Sequence, residues 1–152
     1  MNDDFEHMTE QLPVLFERLV TSSIIPWNDL GKIPGKGIYV FYENGYPIYV
    51  GRTNRMKERI KEHGRRSSTH NSASFAFNLA KKAAGDKGIN TNRSRSELEE
   101  DSAFAELFSK AKERVSQMSV GVIEIKDPII QTIFEIYASM KLKTEFNDFD
   151  TH

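Results

Sequence analysis

Tyrosines and basic residues are concentrated in one short part of this 152-residue chain. Four of the five tyrosines lie in the stretch GIYVFYENGYPIYVG, which runs from Gly37 to Gly51. The stretch that follows, RTNRMKERIKEHGRR at 52–66, holds seven Lys or Arg residues and two Glu, a local charge of +5. A second basic stretch at 81–95 carries a local charge of +4. Because the net charge of the whole chain is −1, these stretches indicate a localised anionic partner, with a solvated helix face as the alternative.

The spacing of single residues adds candidates for chemistry. Arg55, Arg59 and His63 follow one another at intervals of four, so they share one face of a predicted helix. Glu135 stands in the otherwise apolar sequence IIQTIFEIY, where a charge is costly unless it has a partner. Glu135 is therefore a candidate functional carboxylate, unless it lies on the outer face of its helix.

The tyrosine-rich stretch predicts a β-hairpin. Two alternating runs, 37–42 and 46–50, flank Asn44-Gly45, a pair typical of tight hairpin turns. A two-residue loop would put Tyr39 and Tyr49 on opposite faces. A three-residue loop with Gly45 in a bulge would pair Tyr39 with Tyr49 and would collect Ile38, Val40, Ile48 and Val50 on the other face. We prefer this second register because it gives one cleanly apolar face.

Hydrophobic periodicity predicts the elements around the hairpin. Helices are expected at 5–20, at 74–84, at 98–115 and at 127–142, with a third strand at 119–125. Pro13 would either kink the first helix or start it afresh. A further helix, capped by Thr53 or Asn54, would run to about Glu62. Loops are expected at 22–36 and 64–72, and a disordered or binding loop at 85–97. The fold class is therefore α/β, with a small, mainly antiparallel three-stranded sheet flanked by helices.

Composition excludes several classes of protein. The chain has no cysteine, so disulfides and thiolate metal sites are excluded and the cytoplasm is the expected location. No apolar run approaches the roughly 20 residues of a membrane helix, and the acidic first residues do not resemble a signal peptide. A chain of this length is expected to form a single domain, 1–152.

Several short motifs, in this order, resemble the GIY-YIG nuclease domain. They are Gly37-Ile38-Tyr39, Tyr49-Val50-Gly51, Arg59, Glu135 on the last helix, and Asn147 shortly after that helix. The resemblance covers about 37–63 and about 129–147. Residues 1–36 would then be an N-terminal helical extension, and 64–118 a helical insertion that shapes the choice of substrate.

The resemblance implies a role for each matching residue. Tyr39 would be the general base that takes a proton from water, provided that nearby cations lower its pKa well below about 10. Tyr49 would hold the phosphate or the water, and Arg59 would clamp the phosphate. Glu135 would anchor a single Mg²⁺ or Mn²⁺ ion. The remaining two residues would support these groups. His63 would relay a proton, and Asn147 would fix the geometry around Glu135.

One position departs from the family pattern. Arg52 stands where many members of the family have a lysine just after the second glycine motif. An arginine keeps the positive charge but does not release a proton, so a phosphate clamp is the role expected of it. Further substrate-binding arginines are expected at Arg55, Arg65 and Arg66.

The expected function is metal-dependent endonucleolytic cleavage of phosphodiester bonds, with DNA as the first expectation and RNA left open. The alternative is a catalytically inactive nucleic-acid-binding module of the same fold, and the third reading is a structural or interaction protein. Nucleic acid is the expected partner, and a membrane is not. Sequence specificity would come from the insertion, from a homodimer or from a separate targeting protein.

Overall fold

An antiparallel β-sheet separates two helical layers in the computed structural model, which describes residues 3–147 and 149. The predicted domain bounds of 1–152 therefore include a few terminal residues that lie outside the described part. Within that part the sheet has four strands in the order β1-β4-β2-β3. The strands are β1 (Ile25–Pro26), β2 (Gly37–Glu43), β3 (Tyr46–Thr53) and β4 (Ser119–Glu124).

The α/β class is confirmed, but the expectation of three strands is wrong. The additional strand, β1, lies in the segment predicted to be a loop, where Ile25 pairs with Val120 and Pro26 with Ser119. Two residues are too few to show an alternating pattern, and a proline is compatible with a strand only at a sheet edge or at a strand end. The sequence therefore carried no usable signal for β1.

Seven helices surround the sheet in the described residues. They are α1 (Asp3–Glu10), α2 (Leu12–Thr21), α3 (Met56–Gly64), α4 (Ser74–Asp86), α5 (Arg95–Glu100), α6 (Ser102–Ser116) and α7 (Pro128–Leu142). Pro13 lies in the first turn of α2, so it starts a new helix instead of kinking a longer one. The helix expected at 98–115 is two helices, because Asp101 leaves the helical conformation and caps α6 through Ala103 and Phe104.

The hairpin combines parts of both predicted registers. The turn is the two-residue loop Asn44-Gly45, both residues having positive φ, and it pairs Glu43 with Tyr46. A bulge then shifts the register between Phe41 and Tyr42, so that Phe41 pairs with Tyr49. The preferred three-residue loop is therefore wrong, as is the direct pairing of Tyr39 with Tyr49.

The bulge still places the two tyrosines on one face. Tyr39 pairs with Gly51, two residues beyond Tyr49, so both tyrosine rings lie on the same side of the sheet, with centroids 6.4 Å apart. Ile48, the extra residue of the bulge, packs on this side as well, and not with Ile38 and Val40 as predicted. The extra residue in β3 thus brings Tyr49 to the face that carries Tyr39, whereas a two-residue loop without a bulge would place the two tyrosines on opposite faces.

Each face of the sheet buries its own hydrophobic core. On one face α3, α4, α5 and α6 pack over Tyr39, Phe41 and Val120, and Phe75 and Phe104 are among the fully buried residues that the helices contribute. On the other face α2 and α7 cover Ile38, Val40 and Val50. The segment 64–118 therefore supplies much of one core, and it also covers the face that carries both tyrosines.

No helix in the described part of the chain is both long enough and apolar enough to cross a membrane.

Candidate active site

Tyr39 lies at the centre of the sheet, on β2 between β3 and β4. Only 1% of its surface is exposed. Its ring passes directly over the backbone of Gly51, where any Cβ atom would overlap the ring and the hydroxyl. The glycine of the second motif is therefore required by close approach of the tyrosine ring of the first.

The Tyr39 hydroxyl forms a hydrogen bond with His63 on α3, with 2.7 Å between Oη and Nε2. His63 is completely buried, and the rings of Phe41, Tyr49 and Phe75 lie around it with centroids 5.4 to 6.1 Å away. Its other ring nitrogen, Nδ1, has no hydrogen-bond partner within the described residues. Because the apolar rings and the single polar contact fix the imidazole, His63 is oriented towards Tyr39 alone.

Burial controls the protonation of this pair. It lowers the pKa of His63 well below its usual value, and the positive charge of Arg59 lowers it further. Burial also raises the pKa of Tyr39 well above its usual value, and Arg59 opposes this only in part. His63 is therefore neutral and Tyr39 is protonated at neutral pH. The lowered pKa that a tyrosine base requires is not provided by the protein groups around Tyr39.

Tyr49 and Arg59 lie beside this pair. Tyr49 stacks on Phe75 with 4.5 Å between ring centroids, and burial raises the pKa of its hydroxyl. Arg59 donates from Nη1 to the carbonyl of Ser72 at 2.6 Å and to Glu62 Oε1 at 3.0 Å. These two contacts hold the guanidinium close to Tyr39 and Tyr49, where its charge opposes part of the rise in pKa that burial causes in both hydroxyls.

Glu135 reaches the same region from α7, on the other side of the sheet edge. Its side chain is partly buried, and among the described residues it makes no hydrogen bond or ion pair. Burial raises the pKa of Glu135, and the charge of Arg52 partly opposes this effect. A partly desolvated carboxylate with no hydrogen bond or ion pair among the described residues is suited to bind a cation.

Gln131 is a site residue that the sequence analysis missed. It lies one turn before Glu135 on α7 and is fully buried. Its Oε1 accepts a hydrogen bond from Arg52 Nη1 at 3.1 Å, and its Nε2 donates to the carbonyl of Ile125 at 2.6 Å and to Asn54 Oδ1 at 3.2 Å. Gln131 therefore holds Arg52 near Glu135. The one sequence signal was a glutamine in a helix that is otherwise mostly apolar.

Asn147 binds the edge strand of the sheet. Its Oδ1 accepts from the Val50 amide at 2.8 Å and its Nδ2 donates to the Val50 carbonyl at 2.7 Å. Thr144 Oγ1 also donates to Asn147 Oδ1, at 2.8 Å. This side chain fastens the segment after α7 to β3, between the two motif residues Tyr49 and Gly51.

The other predicted substrate-binding arginines are not gathered around Glu135. Arg55 is exposed and pairs with Glu58 at 2.6 Å and with Glu62 at 3.5 Å. Arg65 and Arg66 are exposed where α3 ends. The structure thus brings six predicted residues together and places Asn147 beside them. The six are Tyr39, Tyr49, Arg52, Arg59, His63 and Glu135.

A cavity of about 150 Å³ opens beside Glu135. Its lining includes Tyr49 and Asn147 from the predicted set, together with three polar residues that the sequence analysis did not single out. These are Ser74 and Asn78 on α4 and Arg95 at the start of α5. A larger cavity, about 420 Å³, lies at the hairpin turn and contains none of the predicted site residues.

Comparisons with protein families, with curated proteins and with solved structures find no match for this chain. Within the described residues, no group of three or more His, Asp or Glu side chains is arranged to hold a metal ion. Any metal ion at this site would therefore depend on Glu135 and on water or substrate oxygens.

Proposed function

We propose that this protein is a metal-dependent endonuclease that hydrolyses phosphodiester bonds, with DNA as its expected substrate and a GIY-YIG-type active site. The observation that carries the proposal is the hydrogen bond between Tyr39 and His63, with Arg59 beside this pair and the Glu135 carboxylate of α7 close enough to act on the pKa of Tyr39. A proton acceptor, an anion-binding guanidinium and a carboxylate with no ion pair among the described residues are groups that can serve phosphodiester hydrolysis.

The Tyr39–His63 pair can move a proton without requiring a stable phenolate. In the tautomer that carries its proton on Nδ1, neutral His63 accepts the Tyr39 hydroxyl proton at Nε2. As the attacking water gives its proton to Tyr39 Oη, the original Tyr39 proton passes to His63 Nε2. This relay agrees with the raised pKa of Tyr39, because the hydroxyl gains one proton as it loses another. It leaves a positive charge on His63, which burial and Arg59 both disfavour, so the negative charge of the bound phosphate would have to compensate for it. Since Tyr39 is almost completely buried and does not line the cavity beside Glu135, the relay requires that a water molecule reach its hydroxyl.

The cation site fits the residues present. Glu135 would be the protein ligand, and Mg²⁺ suits such a site because it commonly keeps several waters and binds through one or two carboxylates. When bound, the metal ion supplies electrostatic stabilisation of the phosphoryl and leaving-group oxygens. Arg59 would bind the scissile phosphate, and Arg52, held by Gln131, would moderate the negative charge around Glu135.

A nucleic-acid-binding module without catalysis is the second candidate. The observation that favours it is the burial of both tyrosines, which raises the pKa of each hydroxyl. In that case Arg59 and Arg52 would bind phosphate while Tyr39 and His63 would contribute only to packing. Both candidates bind nucleic acid, so cleavage is the property that separates them.

The experiment is a cleavage assay on labelled duplex, single-stranded, flap and branched DNA and on RNA, with Mg²⁺, with Mn²⁺ and with EDTA. Wild type is compared with Glu135→Ala, with Tyr39→Phe and with Glu113→Ala, which removes an exposed carboxylate from α6. We expect cleavage that needs the metal, falls by at least about 100-fold in Glu135→Ala and Tyr39→Phe, and is unchanged in Glu113→Ala. Binding without cleavage of any substrate would instead favour the inactive module.

A further inference from the structure

The cavity beside Glu135 has a wall built by the segment 64–118. Glu135, Tyr49 and Asn147 line it from α7, β3 and the segment after α7, whereas Ser74, Asn78 and Arg95 come from α4 and α5. All three residues of the second group can donate hydrogen bonds. Among the lining residues, all of which lie in the described part of the chain, Arg95 is the one cation.

The guanidinium of Arg95 is held in place before any ligand binds. Its Nη1 donates to the carbonyl of His70 at 3.2 Å, and the group lies over the Phe77 ring, 5.1 Å from the centroid. His70 is itself fixed by Glu99, which accepts from the His70 amide at 2.9 Å and contacts Nδ1 at 2.6 Å. A side chain ordered in this way loses less conformational entropy when it binds a ligand. With respect to the residues that the structure describes, four of the five guanidinium N–H groups are left for other acceptors.

The size and chemistry of the cavity select the ligand. Pockets for drug-sized molecules span roughly 300–1,000 Å³, so a cavity of about 150 Å³ takes only a small group. A guanidinium, an amide and the Ser74 hydroxyl, which also contacts Tyr49, line the same cavity and form a donor set suited to phosphate oxygens. We propose that Arg95, with Ser74 and Asn78, binds a backbone phosphate adjacent to the one that is cleaved. This inference rests on the proposed nuclease function.

A second phosphate site would define how the substrate lies on the protein. Arg59 and Arg95 would hold consecutive phosphates of one nucleic-acid strand. These two contacts would fix the direction in which the sugar-phosphate backbone passes Glu135. Phosphate contacts position a nucleic acid without reading its bases. Cleavage guided by these contacts is therefore independent of sequence, and the segment 64–118 contributes orientation rather than base recognition.

The test measures binding without cleavage, by fluorescence anisotropy of a labelled single-stranded oligonucleotide in EDTA. Arg95→Ala is compared with Lys87→Ala, which removes the same charge from an exposed position outside the cavity. We expect Arg95→Ala to raise the Kd about tenfold and to reduce the slope of log Kd against log salt, between about 50 and 200 mM, by about one. Lys87→Ala should change the Kd less than about twofold.

A structural role for Arg95 is tested by two further variants. Glu99→Gln weakens the support of His70 but leaves the guanidinium in place, so it should retain most of the binding. Arg95→Lys should recover part of the affinity, because it keeps the charge but not the fork of donors. In the cleavage assay, Arg95→Ala should raise KM about tenfold and leave kcat within about twofold, as expected for a group that binds substrate and transition state equally.

Three results would overturn the inference. Binding by Arg95→Ala that matches Lys87→Ala would remove Arg95 from the site, even if the wild type cleaves. An equal loss of binding in Glu99→Gln would show that Arg95 acts through the packing of α5. A wild-type protein that neither binds nor cleaves nucleic acid would refute the proposed function together with the phosphate site.

Discussion

At the scale of single residues, the ring of Tyr39 and the backbone of Gly51 determine each other. The ring occupies the space where a side chain at position 51 would lie. The hydroxyl reaches His63 only because residue 51 has no side chain. The glycine two residues after the second tyrosine therefore has a steric reason that does not depend on catalysis. The two motifs of the hairpin form one packing unit, in which neither can change alone.

Replacing Gly51 with alanine should disrupt this unit. The new methyl group would overlap the Tyr39 ring, so we expect the free energy of unfolding to fall by about 1–3 kcal/mol and cleavage to be lost. Gly85→Ala is the control, since Gly85 lies in α4 with open space around it and should gain up to about 1 kcal/mol. Urea denaturation measures both changes. An unchanged stability in Gly51→Ala would contradict the overlap.

His63 should make stability sensitive to mild acid. Burial lowers its pKa in the folded protein, whereas the unfolded chain has the usual value of about 6.5. Below about pH 6.5 the unfolded state therefore binds more protons than the folded state, and stability falls as the pH falls. The loss is about 1.4 kcal/mol for each pH unit until the lower pKa is reached.

The variant His63→Gln isolates this effect. Urea denaturation at about pH 7.5 and about pH 5.5 should show that the wild type loses about 1 kcal/mol more than the variant. Titration of the other histidines is common to both proteins and cancels in the difference. Equal acid sensitivity in the two proteins would mean that His63 is not held neutral by burial.

At the scale of elements, β3 is an edge strand, and the side chain of Asn147 forms hydrogen bonds with backbone groups on its outer side. Asn147 offers both a donor and an acceptor to Val50, so it takes the place of a residue on a fifth strand. The same contact holds the segment after α7 against the strand that carries Tyr49. Asn147 therefore acts on the site by fixing the position of β3 relative to α7, and not by touching the tyrosine hydroxyls.

Removing this side chain should loosen β3 locally. Asn147→Ala loses two hydrogen bonds to the Val50 backbone, and we expect it to cost about 1–3 kcal/mol. Hydrogen exchange should show faster exchange of the Val50 amide. In Asn147→Asp that amide keeps its acceptor, whereas the Val50 carbonyl loses its donor, so protection of the amide should be intermediate. Unchanged exchange in Asn147→Ala would contradict the assigned role.

Local patterns predicted most of the elements because their signals lie within a few residues. Asn44-Gly45 marked the turn, and hydrophobic periodicity marked the last helix at 127–142, observed as α7. The bulge could not be predicted, because it depends on how Ile48 and Tyr49 pack against helices that are distant in sequence. Gln131 was missed for the same reason: its three partners lie on other segments of the chain.

At the scale of the whole molecule, the segment 64–118 cannot be separated from the rest of the fold. Phe75 packs against Phe41, Tyr49 and His63, and Lys112 reaches back to the carbonyls of Arg66 and Ser68 at 2.7 Å. The sequence suggested an addition to a smaller domain because no motif falls in this range. The fold shows that these helices bury the face of the sheet where Tyr39 and His63 lie.

Replacing residues 66–117 with a short flexible linker should therefore prevent folding. The deletion would expose Tyr39, Phe41 and Met56, and we expect no cooperative transition in thermal or urea denaturation. A control that inserts a short Gly-Ser segment after Gly88, an exposed loop residue with φ of 77°, should fold normally. A cooperative transition in the deletion variant would show that the sheet and the remaining helices form an independent core.

The contact between Asn147 and Val50 also bears on self-association. β3 forms one border of the sheet, and a border strand with free backbone groups can pair with the same strand of another copy. The amide of Asn147 occupies two of these groups at the middle of the strand. Any change that detaches this side chain would expose a template for intermolecular β-pairing, so the residue that secures the strand carrying Tyr49 also protects the protein against aggregation.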